Sequence, residues 1–165
     1  MIRRATLVPV FALAMIASGA APAAAQDWSA PGVTVDDARA WLLENGGEVA
    51  VPEADGSATT LRVSDILPWT LSFYRCDGAC ADMQYTARFS GPGVTQDWVN
   101  AWNREHRYLK AWYAPASAEG GEATVVVQYD VALTGQGPAQ LSQSTSIWKQ
   151  QQIAFAQLLQ GATRE

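Results

Sequence analysis

Two alternating segments joined by a short turn constrain the fold of this chain more than any other feature. In 70–75 (TLSFYR), Leu71 and Phe73 fall on one face of an extended strand. In 82–89 (DMQYTARF), apolar and aromatic residues again fall at every second position, with polar residues between them. The residues that join the two segments, RCDGAC, are typical of a tight turn. The sequence therefore predicts an antiparallel hairpin with one apolar face.

The only two cysteines of the chain, Cys76 and Cys80, flank the centre of this turn. In an exported protein, such a pair is expected to form a disulfide, which we take as the primary interpretation. A redox-active pair is one alternative, although redox motifs favour two intervening residues and a helix N-terminus. A zinc site is another, but only His106 is available as a further nitrogen ligand, and nothing in the sequence places it nearby.

The remaining periodicities predict three helices and further strands around the hairpin. The predicted helices cover 34–45, 95 to about 106, and 138–161. The predicted strands cover 48–53, 59–63, 70–75, 82–89, 108–114 and 123–131. The order is helix, four strands, helix, two strands, helix. Because strands and helices are segregated along the chain, this order indicates an α+β fold with an antiparallel sheet.

Residues 1–25 have the three-part pattern of a secretory signal peptide. Arg3 and Arg4 form a positive start, 7–17 is apolar, and small residues follow up to Ala25. A membrane anchor is the alternative, but spanning a bilayer takes about 20 apolar residues and this run is shorter. We therefore expect cleavage after Ala25, export to a bacterial periplasm, and no stable insertion in the membrane.

The composition restricts the partners of the domain that remains. The chain has a net charge of −5 with 16% charged and 48% hydrophobic residues, and the leader contains arginines but no carboxylate. A nucleic-acid partner is not expected, because neutralising phosphates requires a basic surface. Disorder is not expected either, because the chain is too apolar and carries too little charge. We predict one domain at 26–165, with a core at about 33–160.

The search for catalytic residues finds none. The chain has no G-x-S-x-G, phosphate-binding glycine loop or H-E-x-x-H motif. His106, the single histidine, is interpreted as a residue at a helix end, where a cation suits the dipole. Asp77 and Asp82 are interpreted as turn and strand-end residues. We predict no catalytic residue, no metal site and no cofactor, with an envelope hydrolase that uses His106 and a carboxylate as the alternative.

Seven tryptophans are candidates for the core or for a binding surface. Four of them lie on apolar helix stripes and are expected in the core: Trp41, Trp98, Trp102 and Trp148. Trp28 lies at the start of the domain. Trp69 and Trp112 are the better candidates for an exposed contact with a partner, because exposed aromatic residues mark binding surfaces.

The segment 100–113 is the richest in polar and aromatic residues. Asn100 and Asn103 fall in a predicted helix, where asparagine is a poor helix former. Asparagine is tolerated there when its amide bonds to nearby backbone. We therefore interpret Asn103 and Arg107 as residues that tie the end of the helix to the following strand.

This segment resembles the N-x-W-N-x-x-x-R-F/Y pattern of the YbjN family. The matching residues are Asn100, Trp102, Asn103, Arg107 and Tyr108, followed by Trp112 or Tyr113 as a later aromatic. Cys76 and Cys80, Asp130 after its tyrosine, and the closing helix also resemble family members. The resemblance covers about 33–159 and implies a mainly structural role for these motif residues.

The resemblance also carries expectations about fold and function. The family is labelled a regulator of sensory transduction, and its fold is similar to that of type III secretion chaperones, which bind partner polypeptides and often dimerise. The expected function is therefore an exported, non-enzymatic binding or regulatory module. We expect its partner to be a protein or peptide in the cell envelope, and we leave a homodimer open. An exposed sheet edge is one place where a partner strand would bind.

Overall fold

The computed structural model describes residues 31–91, 94–116 and 121–162. The helices of this part are α1 (Val35–Glu44), α2 (Gln96–Glu105) and α3 (Leu141–Ala162), the last preceded by a short 3-10 turn at Pro138–Gln140. The strands are β1 (Glu48–Val49), β2 (Glu53–Asp55), β3 (Ala58–Ser64), β4 (Trp69–Asp77), β5 (Ala79–Ser90), β6 (Lys110–Ala114) and β7 (Thr124–Ala132). The predicted α+β class is confirmed, whereas the predicted signal peptide and Trp28 lie outside the described residues.

The strands form one antiparallel sheet in the order β1-β3-β4-β5-β7-β6, and β2 also pairs with β3. β5 is the longest strand and pairs with β4 on one side and β7 on the other. Tyr85 of β5 lies opposite Leu71 of β4 and opposite Tyr129 of β7. The last two predicted strands are present as β6 and β7, which pair antiparallel. Since β7 joins β5, β6 becomes an edge strand of the sheet.

The first predicted strand, 48–53, is wrong in its extent. β1 ends at Val49, and pairing with β3 is interrupted around Pro52, which has no N–H to donate to a ladder. Residues 54–55, which lie outside the predicted strands, belong to β2. Their pairing extends this far because Gly56, with a φ of 60°, allows a two-residue turn between β2 and β3.

β5 separates two chemically different faces of the sheet. Met83, Tyr85 and Ala87 are buried. Gln84 and Thr86, which alternate with them, are half-buried and point to the other side. The core cluster combines residues of the first face with residues of all three helices. We call the opposite side, formed by the alternate polar residues of β3 to β7, the open face.

α3 packs on the centre of the apolar face. Leu141, Trp148 and Phe155, spaced by seven residues, have no exposed surface, as their periodicity predicts. The Trp148 ring stacks on Tyr85 with centroids 5.4 Å apart. Phe155 packs edge-on against Trp102 of α2, with centroids 4.7 Å apart. α3 therefore contacts both the sheet and α2.

A buried hydroxyl cluster joins α3 to β5. The Tyr85 hydroxyl lies 3.0 Å from Ser144 Oγ and 2.8 Å from Thr145 Oγ1. Ser144 also donates to the Leu141 carbonyl. Burial raises the pKa of Tyr85 to about 12, because the phenolate would be desolvated there.

Two polar contacts tie α3 to the turn between β3 and β4. Lys149 Nζ lies 2.8 Å from an Asp65 carboxylate oxygen, and this hydrogen bond lowers the pKa of Asp65. Gln152, which is buried, donates from Nε2 to the carbonyls of Leu67 and Pro68.

Within the described residues, no helix has the length and apolarity needed to cross a bilayer.

The start of the described chain packs against the end of the central hairpin. Val33 exchanges two backbone hydrogen bonds with Cys80, and Gly32 N donates to the Gly135 carbonyl. Gly32 has a φ of 112°, and a Cβ added to it would lie 2.6 Å from the Cys80 carbonyl oxygen. Only glycine therefore fits this approach without a shift of backbone.

The hydroxyl cluster gives a stability prediction. Tyr85→Phe keeps the ring but leaves Ser144 and Thr145 without their buried partner, so the free energy of unfolding at pH 7 should fall by about 1–3 kcal/mol. Tyr74→Phe is the matched control, because Tyr74 lies on the open face and its hydroxyl makes no hydrogen bond within the described part of the chain. Urea denaturation measures both. An equal loss in the two variants would contradict the assignment.

Tyr85→Phe should also differ from the wild type in how its free energy of unfolding changes at alkaline pH. A tyrosine whose folded pKa is raised from 10 to about 12 contributes stability that is complete below pH 10 and is lost as the pH rises through 12. The wild-type free energy of unfolding should therefore fall more steeply than that of Tyr85→Phe over this interval. Parallel slopes would show that the phenol is not shielded.

Candidate functional site

Two motif residues of α2, Trp102 and Asn103, form hydrogen bonds with the backbone at the outer edge of β6 and just before this strand. Asn103 Nδ2 donates to the Ala111 carbonyl over 2.8 Å, and Ala111 N donates to Asn103 Oδ1 over 2.9 Å. The amide thus makes the two hydrogen bonds that a neighbouring strand would make. The buried Trp102 donates from Nε1 to the Leu109 carbonyl over 3.2 Å. The predicted tie between the helix and the following strand is therefore confirmed for Asn103.

The other motif residues are placed differently. Arg107 is exposed, and in the described chain its side chain makes no hydrogen bond to β6, so the prediction that it helps tie the helix end is wrong. Tyr108 has a φ of 68° and is 55% exposed, with its ring 6.0 Å from that of Tyr129. This conformation explains why β6 begins at Lys110 rather than at the predicted 108. Asn100 is exposed and accepts a hydrogen bond from Gln96.

His106 packs as part of α2. Its ring stacks on Trp102 with centroids 3.7 Å apart, and Nδ1 lies 3.2 Å from the Trp102 carbonyl oxygen. Glu105 and His106 share a shallow cleft with Trp98 and Leu158, but no hydrogen bond joins His106 to a carboxylate among the described residues. This arrangement is that of a residue that terminates a helix.

The opposite edge of the sheet is covered in a similar way. Arg39 of α1 donates from Nε to the Ala50 carbonyl over 3.1 Å and from Nη2 to the Val49 carbonyl over 3.4 Å. Pro52 and the acidic residues of β2 lie further along this edge. Both edges therefore carry features that hinder the addition of another strand, so the expectation that a partner strand binds at an exposed edge is not favoured.

The open face carries a hydrogen-bonded network of amides and hydroxyls. Gln84 Nε2 donates to Asp130 over 2.7 Å, and Gln84 Oε1 accepts from Gln128 over 2.9 Å and from Thr86 over 3.3 Å. Asp130, which the family resemblance singles out, is thus held on this face. On the neighbouring strands, Thr60 and Ser72 hydroxyls lie 2.9 Å apart. These contacts order a polar surface across β3, β4, β5 and β7.

Trp112 is an exposed tryptophan on this surface. It lies opposite Val126, which in turn lies opposite Arg88 of β5. Directly opposed residues share a face of the sheet, and Trp112 is 45% exposed whereas Val126 is 1% exposed. The indole and the arginine therefore flank an apolar floor on the open face. The expectation that Trp112 is accessible to a partner fits this position.

Trp69 lies on the apolar face, and the prediction that it is an exposed contact is wrong. It is 3% exposed and packs against Tyr85 and Trp148, with centroid distances of 5.5 and 6.3 Å. Its position two residues before Leu71 places it on the same side as that core residue. The alternation of apolar residues along β4 therefore predicts that Trp69 is buried.

The turn that joins β4 and β5 is closed by a disulfide between Cys76 and Cys80, which are directly opposed in the ladder. Beside it, Arg75 forms an ion pair with Asp82 that lowers the pKa of the carboxyl group. Asp77 is exposed at the turn. In the described residues, no group of three or more histidine, cysteine, aspartate or glutamate side chains is arranged to hold a metal ion.

The comparisons with known proteins agree with the motif. The YbjN family, described as "Putative bacterial sensory transduction regulator", matches residues 34–160. The chain belongs to the YbjN family. No curated protein sequence matches the chain. The family to which this chain belongs is thus described as regulatory.

Two solved structures are similar to this chain. A crystal structure of YbjN from E. coli, titled "a putative transcription regulator", has a TM-score of 0.48 and 16% identity over 70% of this chain and 83% of that one. A structure of an uncharacterized protein from Methanothermobacter thermautotrophicus has a TM-score of 0.51 and 12% identity over 76% of this chain and 95% of that one. At this identity the second similarity concerns the fold alone.

The hydrogen bonds between Asn103 and β6 lead to a prediction about stability and self-association. Asn103→Ala removes two hydrogen bonds to Ala111, so the free energy of unfolding should fall by about 1–3 kcal/mol. The uncovered edge should also increase self-association at high concentration. Urea denaturation and sedimentation velocity measure the two effects.

Asn100→Ala is the matched control, since Asn100 lies on the same helix and makes one exposed hydrogen bond. Its free energy of unfolding should change by less than about 0.5 kcal/mol, because alanine is also the better helix former. Similar losses in both variants, without added self-association for Asn103→Ala, would show that the amide does not protect the edge.

Proposed function

We propose that this YbjN-family chain is an exported, non-enzymatic module that binds a protein or peptide partner in the cell envelope through its open face. The observation that carries the proposal is the ordered polar surface around Gln84, with Trp112 exposed on it. Ordered hydrogen-bonding groups beside an exposed indole are the composition of protein-binding surfaces. The covered edges at Asn103 and Arg39 favour this face over strand addition.

The proposal of a non-enzymatic role is supported by the way in which His106 is used. Its ring is stacked on Trp102 and its Nδ1 faces a backbone carbonyl, so the residue has a structural role in the end of α2. Export is supported by the leader pattern in 1–25. An oxidising compartment is also where a disulfide between Cys76 and Cys80 would persist.

Export makes a prediction about the mature N-terminus. When the full chain is expressed in a Gram-negative host, the periplasmic fraction should contain a protein that begins at Gln26, as measured by intact mass. Ala25→Lys should block this cleavage, because signal peptidase requires a small residue at that position. Full-length protein confined to the cytoplasm would contradict export.

Partner binding is tested by photo-crosslinking in living cells. A photoreactive phenylalanine analogue at position 112 should give a discrete covalent adduct with one envelope protein, identified by mass spectrometry. The same analogue at Leu158, which is exposed on the helical side of the molecule, is the matched control and should give none. His106→Ala should leave the adduct at 112 unchanged. Equal adducts at both positions, or none at 112, would contradict binding through the open face.

A further inference from the structure

The open face contains a groove of about 420 Å³ with an arginine on each side. Arg62 of β3 lies in register with Thr70 of β4 and Thr86 of β5, and Arg88 lies two positions beyond Thr86 on β5. Within the described chain, no acidic side chain lines this groove. Arg62 is ion-paired with Glu53, which does not line the groove, so among the described residues Arg88 supplies the unpaired positive charge of the groove.

The two guanidinium groups have donors to spare. Arg62 is oriented by Glu53, which accepts from Nε over 3.2 Å and from Nη2 over 2.9 Å. A guanidinium has five N–H donors, so three remain. Arg88 is exposed and has no carboxylate partner among the described residues. A ligand with two acceptor oxygens in one plane matches this donor arrangement, since arginine binds carboxylates bidentately.

Trp112 lies on the same face of the sheet as the groove but outside its lining residues. Arg88 lies two strands from Trp112, with the buried Val126 between them. The middle of the groove, over β4, is three strand spacings from β6, or about 14 Å at about 4.8 Å for each spacing. In an extended peptide, side chains four residues apart lie on the same side and about 14 Å apart.

We propose that this groove binds an acidic, extended peptide segment whose carboxylate lies between Arg62 and Arg88 and whose apolar side chain, four residues away, packs on Trp112. This rests on the proposed binding function and specifies the chemistry of its partner. The indole favours a polypeptide over a free anion, because an inorganic anion has no group to place on it.

The proposal is tested with an acetylated, amidated pentapeptide that has glutamate first and phenylalanine fifth, titrated into the mature protein and followed by ¹⁵N NMR. The indole N–H of Trp112 and the backbone amide of Arg88 should shift together, and affinity should fall as salt is added. A peptide with glutamine first should bind about tenfold more weakly, as expected for loss of charge-assisted hydrogen bonds.

Arg88→Gln should weaken binding of the glutamate peptide about tenfold. Arg104→Gln removes the same charge from α2, outside the groove, and is the matched control, with affinity unchanged within about twofold. Arg88→Glu should prefer a peptide with lysine first, and this reversal separates loss of recognition from loss of folding.

Several outcomes would overturn the proposal: equal binding by Arg88→Gln and Arg104→Gln, equal binding of the glutamine peptide, or inorganic phosphate that binds as tightly as the glutamate peptide. The last result would identify a simple anion site. A covalent adduct of the photoreactive analogue at position 112 that still forms in cells after Arg88→Gln would contradict peptide binding in the groove. It would leave partner binding through the open face intact. Peptide binding in vitro without any adduct in cells would support the groove but contradict partner binding through the open face.

Discussion

The alternation of β5 is the constraint on which the rest of this structure depends. This strand pairs with β4 and β7 at once, so its residues fix which side of the sheet each neighbour presents. Tyr85 and Met83 face the helices, whereas Gln84 and Thr86 face away. A register shift of one residue would exchange these sets and bury the amide network. The apolar core and the open face are therefore two consequences of a single pattern.

The helices complete this sheet in two ways. α3 buries the centre of the apolar face through Trp148 and Phe155, and Phe155 also positions Trp102 of α2. α2 in turn places Asn103 against β6, while α1 places Arg39 against the other edge. Core packing on one face thus controls the protection of the backbone at both edges. The side that no described helix covers is left as the broad surface available for contact.

Much of the fold was predictable because it rests on local periodicity. The stripe of Trp148 and Phe155, the alternation of β5 and the turn between the cysteines all act within a few residues. The break at Pro52 is also a local signal, because proline cannot donate to a ladder, whereas the alternation of 48–53 alone predicts a continuous strand. The prediction for Trp69 is wrong because β4 begins one residue earlier than the predicted strand, which brings Trp69 into the alternation with Leu71 and Phe73.

The candidate site was harder to predict, because its residues meet only through the sheet register. Asn103 bonds to a residue only eight positions away, so its role was foreseeable. Arg39 covers a carbonyl eleven positions away, across a turn whose geometry the sequence does not specify. Arg62, Arg88 and Trp112 come together through four strand pairings and have no local signature.

The family motif and the open face answer different physical demands. Asn103 and Trp102 satisfy backbone groups of the chain itself, so a sequence that keeps them keeps the edge of the sheet closed whatever it binds. Arg88 has no such internal partner among the described residues, and the exposed ion pair of Arg62 with Glu53 contributes little to stability. These two positions can therefore vary without changing the fold. The residues that close the edge of the sheet and those that line the groove are therefore different residues of this chain.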